Sequence, residues 1–418
     1  MTPALLALLA AAAGPRTLTL DEALARARSH PQISAARAAV EGASARAAEA
    51  RAGFLPSAAA TADATAATDN AIPARASDPR PNVSDVLHPS LTATLTLSQP
   101  IWDFGRTLGT FRSARLSERA AEADLAAAVD ETAFEVRTAY YGALAAEALL
   151  VAADETVRQM QKHVSFAEES FAVGRRTRFD VTRARVELAS ARIARIQALN
   201  GVALARAALS AAIGEPIADA VLAPAEERPD DPLPDRAIAE ALARRPELAA
   251  LDRRIAAQLE LVGAAKATFL PVLGASGQVA WSAPDVPLVR NWQAGVTLTW
   301  PILAGGADRA RWREQEAAAR ALRAARDALA LRIREEAEQS ALAIIEARAR
   351  RAAADVLLSQ AQENLGLAEG RYQQGVGNII ELTDAQAALT AGRAQAVRAG
   401  YDVAIARARL RRALAAPL

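Results

Sequence analysis

The chain repeats itself. Phe171-Ala172-Val173-Gly174 and Asp180-Val181-Thr182-Arg183 reappear as Tyr372-Gln373-Gln374-Gly375 and Glu381-Leu382-Thr383-Asp384, each 201 positions later, and Pro100 returns as Pro301 at the same offset. A duplication of this size implies two structurally equivalent halves. The beginnings match at the larger offset of 215, because Pro31 and Leu55-Pro56 correspond to Pro246 and Leu270-Pro271. The first half therefore carries 14 additional residues between Pro56 and Pro100, in a stretch of Asp, Asn and Pro that reads as a loop.

Each half opens on a helix. Residues 21–52 and 235–267 read as continuous helices rich in Ala, Arg, Glu and Leu, closed by Phe54-Leu55-Pro56 and Phe269-Leu270-Pro271. The period then changes to two. Leu91, Ala93, Leu95 and Leu97 alternate with Thr92, Thr94, Thr96 and Ser98; Trp292, Ala294, Val296, Leu298 and Trp300 alternate with Gln293, Gly295, Thr297 and Thr299. With their partner runs, four strands are expected at about 57–67, 90–100, 272–282 and 291–301, each near the length that a tilted strand needs to cross a bilayer.

A soluble sheet with one wet face would show the same alternation. Two observations favour lipid. Trp102, Trp281, Trp292 and Trp300 sit in or at the ends of these strands, as membrane-interface aromatics do, and the long polar loop has the character of an external one. Four strands are too few to close a barrel.

After the second strand of each half comes a proline-free run, from Arg106 to about Phe171 and from Ala307 to about Tyr372. Roughly 65 residues at 1.5 Å each make a helix on the order of 100 Å long. Apolar residues fall at steps of seven: Val129, Val136, Ala143, Leu150, Val157, Val164 and Phe171, then Ala330, Ala337, Ile344, Leu358, Leu365 and Tyr372, interrupted by Arg351. The returning segments keep the beat through Val181, Leu188, Val202 and Leu209, and through Leu382, Leu389, Ala396, Val403 and Leu410. Such repeats predict antiparallel coiled-coil hairpins. Their many alanines allow close approach but bury little area, so the hairpins are expected to pack against more of their kind.

The domain reading is a signal peptide at 1–13, a first repeat at 21–214, a Pro-rich linker at 215–234 and a second repeat at 235–415. The signal reading rests on the apolar run Ala4 to Ala13 and the small residues before Gly14, although Met1-Thr2-Pro3 lacks the usual basic residue. No other segment reads as an uninterrupted apolar stretch of spanning length. The linker, with Pro216, Pro224, Pro229, Pro232 and Pro234, is expected to contribute nothing to a core.

A net charge of +1 argues against a nucleic-acid partner, and the absence of cysteine removes disulfides, thiolate nucleophiles and zinc-thiolate sites. His30, His88 and His163 lie at no metal-ligand spacing and read as structural or solvated. No hydrolase, zincin or P-loop string occurs, so neither a catalytic site, a cofactor site nor a metal site is expected.

The distinctive local sequence is at the hairpin tips. Gly174 and Gly375 stand where a helix must end and reverse, and Asp180 and Glu381 stand in the first turn of the next helix, where a carboxylate complements the dipole. With duplicated halves, paired strands, very long hairpins and a Val-Gly-x-Arg-Thr-x-x-Asp-Val tip, the chain resembles the TolC family of outer-membrane efflux channels over nearly its whole length. The resemblance implies a homotrimer in the outer membrane of a Gram-negative bacterium. Each protomer would give four strands to a twelve-stranded transmembrane β-barrel, continued by a periplasmic α-helical coiled-coil barrel. It implies a passive duct for small molecules or proteins in a tripartite efflux or type I secretion system. Its partners would be outer-membrane lipid, a periplasmic adaptor and an inner-membrane pump of the RND, ABC or MFS type.

By the same resemblance, Asp180 and Tyr372 look like an inter-hairpin latch, and Glu381 and Asp384 look like acidic rings at the pore constriction. Gly174, Arg176, Thr177 and Gly375 look like adaptor contacts. Gly377 occupies the position where the family's second latch would place an arginine, and Glu381 replaces the more familiar aspartate. The alternative is a soluble periplasmic scaffold or adaptor built from helical hairpins.

Overall fold

A computed structural model describes residues 17–68, 87–217, 220–225, 233–283 and 289–415. The signal-peptide reading of 1–13 and most of the long loop before the second strand lie outside these residues. The described chain runs β1 (Thr17–Leu18), α1 (Leu20–Arg26), a 3₁₀ turn (Ala27–Ser29), α2 (Pro31–Ala52), β2 (Ser57–Thr68), β3 (Leu87–Trp102), α3 (Arg106–Ala172) and α4 (Arg178–Ile213). It continues through β4 (Val221–Leu222), α5 (Pro234–Arg244), α6 (Pro246–Ala267), β5 (Val272–Ala283), β6 (Val289–Thr299), α7 (Ala307–Gln373) and α8 (Ile379–Ala413). Two compact units result. One takes the residues up to Ala38, Ala123–Ala249 and those from Asp327; the other takes Ala39–Glu122 and Ala250–Arg326.

The second unit is built on an antiparallel sheet in the order β2-β3-β5-β6. Its register sorts the side chains into two faces. Leu95 is opposite Ala60 and Val279, Leu97 is opposite Ala58 and Gly277, and Val296 and Leu298 are opposite Ala275 and Leu273, so one face is apolar across all four strands. The other carries Ser57, Thr61, Asp63, Thr94, Thr96, Ser98, Ser276, Gln278 and Gln293. Hydrogen bonds run across this polar face, Ser57 Oγ to Ser98 Oγ at 2.7 Å and Gln293 Nε2 to Gln278 Oε1 at 3.0 Å.

Among the described residues nothing covers the apolar face. Leu91, Leu95, Leu97, Val296 and Leu298 are all exposed. Leaving such side chains in water forgoes about 1.5–3 kcal/mol each. The tryptophans sit at the two ends of the sheet: Trp102 pairs with Leu273 and Trp300 follows β6, whereas Trp281 and Trp292 lie toward the far end. Eight residue steps along β5 separate Leu273 from Trp281, roughly 26 Å at 3.3 Å per residue. Trp300 donates from Nε1 to the Phe269 carbonyl at 3.1 Å. Each strand-to-helix turn needs two consecutive left-handed residues: Gly305 and Gly306 in one half, Phe104 (φ 54°) and Gly105 in the other. Phe104 accepts a conformation costly for an aromatic residue, beside the Trp102 ring at 6.0 Å.

The first unit holds the long hairpins. α3 and α7 have 67 residues each and begin at equivalent positions. In the second hairpin the seven-residue seam is buried at Ala337, Ile344, Leu365, Tyr372, Leu382, Leu389, Val403 and Leu410. Exposed Arg351 does not break it, because Ala347 and Ala354, also seven apart, stay buried on the companion row. The first hairpin is leaner. Its tip-side core consists of Val157, Met160 and Ala191, then Ala167, Val181 and Ala184. Its helices are tied instead by Glu168–Arg185 at 2.6 Å, Asp154–Arg195 and Glu147–Arg206 at 2.7 Å.

Several sequence expectations need correction. The helices expected over 21–52 and 235–267 are each broken before a proline: His30 (ψ 140°) and Arg245 (ψ 119°) are forced out of the helical region by the ring that follows. The Pro-rich segment is not merely a linker. Ile217 and Leu222 are buried, and β4 pairs in parallel with β1. Buried Tyr140 reaches both strands, its hydroxyl lying 2.8 Å from the Leu18 carbonyl and 2.6 Å from the Ala223 carbonyl. Burial pushes the Tyr140 pKa up to about 12. Finally, α4 contains an 18-residue window apolar enough to span a membrane by length and composition. That window belongs to the hairpin, where α4 is ion-paired to α3 through Arg195 and Arg206.

Candidate functional site: the hairpin tips

The first tip is built by two local rules. α3 ends with Gly174 at φ 71°, and the Arg175 amide donates back to the Ser170 carbonyl at 2.9 Å, the hydrogen-bond pattern that a left-handed residue allows. Thr177 then caps α4 reciprocally. Its Oγ1 accepts from the Asp180 amide at 3.3 Å, and Asp180 Oδ2 accepts from the Thr177 amide at 3.0 Å. Asp180 is thereby buried and fixed.

The second tip follows the same backbone plan with different chemistry. Gly375 takes φ 76°, and the amides of Val376 and Gly377 donate to the Arg371 carbonyl at 3.1 and 2.9 Å. Asn378 caps α8, its Oδ1 accepting from the Glu381 amide at 2.8 Å. The Glu381 carboxylate turns outward to Arg371 Nε at 3.3 Å. Asp384 is exposed and, among the described residues, makes no ion pair. Gly377 has no room for a side chain: an added Cβ would lie 3.0 Å from Arg371 Cβ and 3.0 Å from the Tyr372 amide nitrogen.

Between the tips lies the joint. The Arg176 guanidinium sits 3.9 Å over the Tyr372 ring and donates a hydrogen bond to the Tyr372 carbonyl. Tyr372 also packs against Phe166, 6.0 Å between ring centroids. Its hydroxyl is buried with no hydrogen-bond partner among the described residues, and its pKa is raised by burial and by Asp180 against the pull of Arg176. Asp180 thus lies close enough to Tyr372 to act on its hydroxyl. The contact that joins the hairpins is made by Arg176, not by a hydrogen bond from Tyr372 to Asp180, whose carboxylate serves its own helix cap. A second tie lies nearby, where Glu369 meets His163 at 3.4 Å and Gln159 at 3.4 Å.

Sequence reasoning placed Arg176 at the tip but missed its partner. The available signal was the lack of a cation at Gly377 together with an extra one at the equivalent turn. Gly174, Thr177 and Gly375 are exposed. Among the described residues no cluster of three His, Asp or Glu is placed to hold a metal ion.

Known proteins share this architecture. The CmeC outer membrane channel of Campylobacter jejuni superposes with a TM-score of 0.83 at 19% identity, covering 94% of this chain and 85% of that one, a likeness of fold. Outer membrane protein OprJ of Pseudomonas aeruginosa is 31% identical over 152 residues, 35% of this chain and 32% of its own length. Protein CyaE of Bordetella pertussis is 29% identical over 303 residues, 70% of this chain and 64% of its own length. These alignments span about one third and just under two thirds of the two relatives. The sequence itself matches the outer membrane efflux proteins over 19–215 and 237–416, from α1 to the end of the first hairpin and from α5 past the end of the second, so the chain belongs to the outer membrane efflux protein family.

Proposed function

We propose that this chain is the outer-membrane duct of a tripartite efflux or type I secretion system, passing small molecules or proteins without chemistry of its own. The observation that carries the reading is the sheet. It has an uncovered apolar face, a polar opposite face, tryptophans roughly 26 Å apart along the strands, and open edges at β2 and β6. In lipid an open edge leaves several kcal/mol of unsatisfied backbone per group, which favours closure by further copies. Three copies give twelve strands, an even-numbered barrel with the polar face inside. A match over both repeats of an outer-membrane family weighs against the soluble scaffold or adaptor reading.

The tips then become the periplasmic end. Arg176 and Tyr372 hold the two hairpins of a protomer together, while Glu381 and Asp384 form rings of like charge that attract cations in a narrow pore. Gly174, Thr177 and Gly375 face an adaptor, which connects to an inner-membrane pump of the RND, ABC or MFS type. Single-channel recording of the purified protein in a planar bilayer, with its mass taken in the same detergent, tests the whole reading. A conducting trimer is expected, and a monomer that never conducts would overturn it. Glu381→Ala with Asp384→Ala should weaken block by divalent cations; unchanged block would remove both residues from the pore.

A further inference from the structure

Two buried polar atoms between the hairpins have nothing to bond. Gln386 on α8 and Tyr372 at the end of α7 are 6% and 3% exposed, and among the described residues neither Gln386 Nε2 nor the Tyr372 hydroxyl has a hydrogen-bond partner. A donor buried in this way loses its water and gains no replacement. Both side chains line one small void of about 10 Å³, room for about one water molecule or one ligand oxygen. Thr383, beside them, is already spent as a donor, its Oγ1 bonding the Ile380 carbonyl at 3.1 Å.

The void opens onto a larger space. Met160, Glu187, Thr383 and Gln386 also line a cavity of about 670 Å³ bounded by α3, α4 and α8. Alanines of all three helices form most of its wall, and such short side chains cannot reach across to fill it. The volume falls within the range of about 300–1,000 Å³ that small organic ligands occupy. Of the charged residues lining it, Glu187 is paired with Arg183 at 3.2 Å and Arg393 with Glu155 at 3.9 Å, while Arg398 is exposed. The slot is thus apolar along its length, without a buried charge, and has unused donors at one end.

We propose that this slot binds a neutral, largely apolar small organic molecule carrying a carbonyl-type oxygen, which accepts from Gln386 Nε2, with the Tyr372 hydroxyl as second donor, while the apolar body lies along the alanines of α3, α4 and α8. A lone water can answer the donors but leaves the apolar wall wet; a molecule with an oxygen at one end and rings at the other satisfies both. The site goes beyond the duct reading and does not rest on it, because the ligand need not be the cargo. Touching the first hairpin through α3 and α4 and the second through α8, a bound molecule favours the arrangement of hairpins that forms the slot.

The probe is benzophenone, two apolar rings on one carbonyl, which on illumination attaches to C–H bonds within its reach. The full-length protein in nanodiscs is illuminated with it, and the labelled residues are mapped by peptide mass spectrometry. Label is expected at Met160 and at the alanines of the slot. Gln386→Leu keeps a similar volume without the donor and should cut that label about tenfold. Ala194→Phe, at an exposed position of the slot, should block it. Excess fluorenone, another apolar ketone, should compete about tenfold better than diphenylmethane, which has the rings without the oxygen. Label that survives Gln386→Leu, or equal competition by the two compounds, would assign the donors to a water molecule and overturn the site. Label confined to the strands would assign the probe to lipid and overturn it too. Conductance of the same preparation keeps the two readings apart: a conducting protein with no label in the slot loses the site and keeps the duct.

Discussion

The two hairpins have helices of nearly equal length, the same turn geometry and the same seven-residue beat, yet they dispose of their apolar side chains differently. In the second, the seam is buried within the chain from Ala337 to Tyr372 and back from Leu382 to Leu410. In the first, the same beat is only half-buried at Leu150, Val164, Leu188 and Val202 and is exposed at Phe171. Both hairpins leave aliphatic side chains open away from the seam, Val186, Ile193, Ile196, Leu199 and Leu204 on α4 and Leu342, Ile345, Val356, Leu357 and Leu367 on α7, so the difference between them lies in the seam itself. The same division appears at the tips, where the second is closed by its own glycine packing and ion pair while the first reaches outward with Arg176.

Several measurements would break or sharpen this comparison. The largest effect is expected at the root of the second hairpin. Buried Arg245 donates to Glu336 at 2.6 Å and to the Arg412 carbonyl at 3.2 Å, while Arg412 bridges Glu336 to Glu131 at 2.7 Å. Arg245→Ala removes a buried guanidinium with its charged hydrogen bonds to Glu336 and to the Arg412 carbonyl, each worth about 1.5–3 kcal/mol, and should cost about 3–5 kcal/mol in chemical denaturation.

Leu382→Ala in the buried seam should cost about 2–5 kcal/mol in the same assay. Ile196→Ala, on the exposed face of the first hairpin, should cost under about 0.5 kcal/mol in the dissociated chain and show itself instead as a weaker oligomer. Equal losses from the two would erase the distinction between the seam and the open face.

Gly377→Ala drives a methyl group against Arg371 and the Tyr372 amide. It should destabilise the second tip by about 1–3 kcal/mol, read as faster amide exchange at Val376 and Gly377. The equivalent position in the first tip is Arg176, a full side chain, so the two turns should tolerate opposite substitutions.

The smallest effect is expected from pH. Burial pulls the His163 imidazole below its ordinary 6.5, opposed by Glu369. Protonation is then harder in the folded than in the unfolded chain. The stability held in this joint is complete above pH 6.5 and declines as the pH falls below it. The thermal midpoint should drop slightly through that range, by under about 1 kcal/mol in stability, and His163→Gln should remove the drop.

Much of this was legible in advance, for reasons visible in particular residues. Alternation at Leu91 to Leu97 and at Trp292 to Trp300 specifies strands with one apolar face because the strand period is two. The uninterrupted runs behind Arg106 and Ala307 specify long helices because nothing in them breaks the backbone hydrogen bonds. Other features were not legible. The helix breaks at Pro31 and Pro246 compete with strong flanking propensity. The core role of Ile217 and Leu222 depends on β1 arriving from the other end of the half. At the tips, the glycines and Asp180 announced themselves through local capping rules, whereas the Arg176–Tyr372 contact joins residues 196 positions apart.

Periodicity, capping and turn preference are short-range physics, and by themselves they determined the order of elements, the paired hairpins, the two-faced strands and the position of the tips. Which partner each polar side chain found is a long-range outcome. The tertiary structure alone decided that Arg176 rather than Asp180 spans the hairpins and that Gly377 is glycine for want of space. It likewise decided that the second hairpin buries its seam more fully than the first. Each depends on distances between segments that no local pattern encodes.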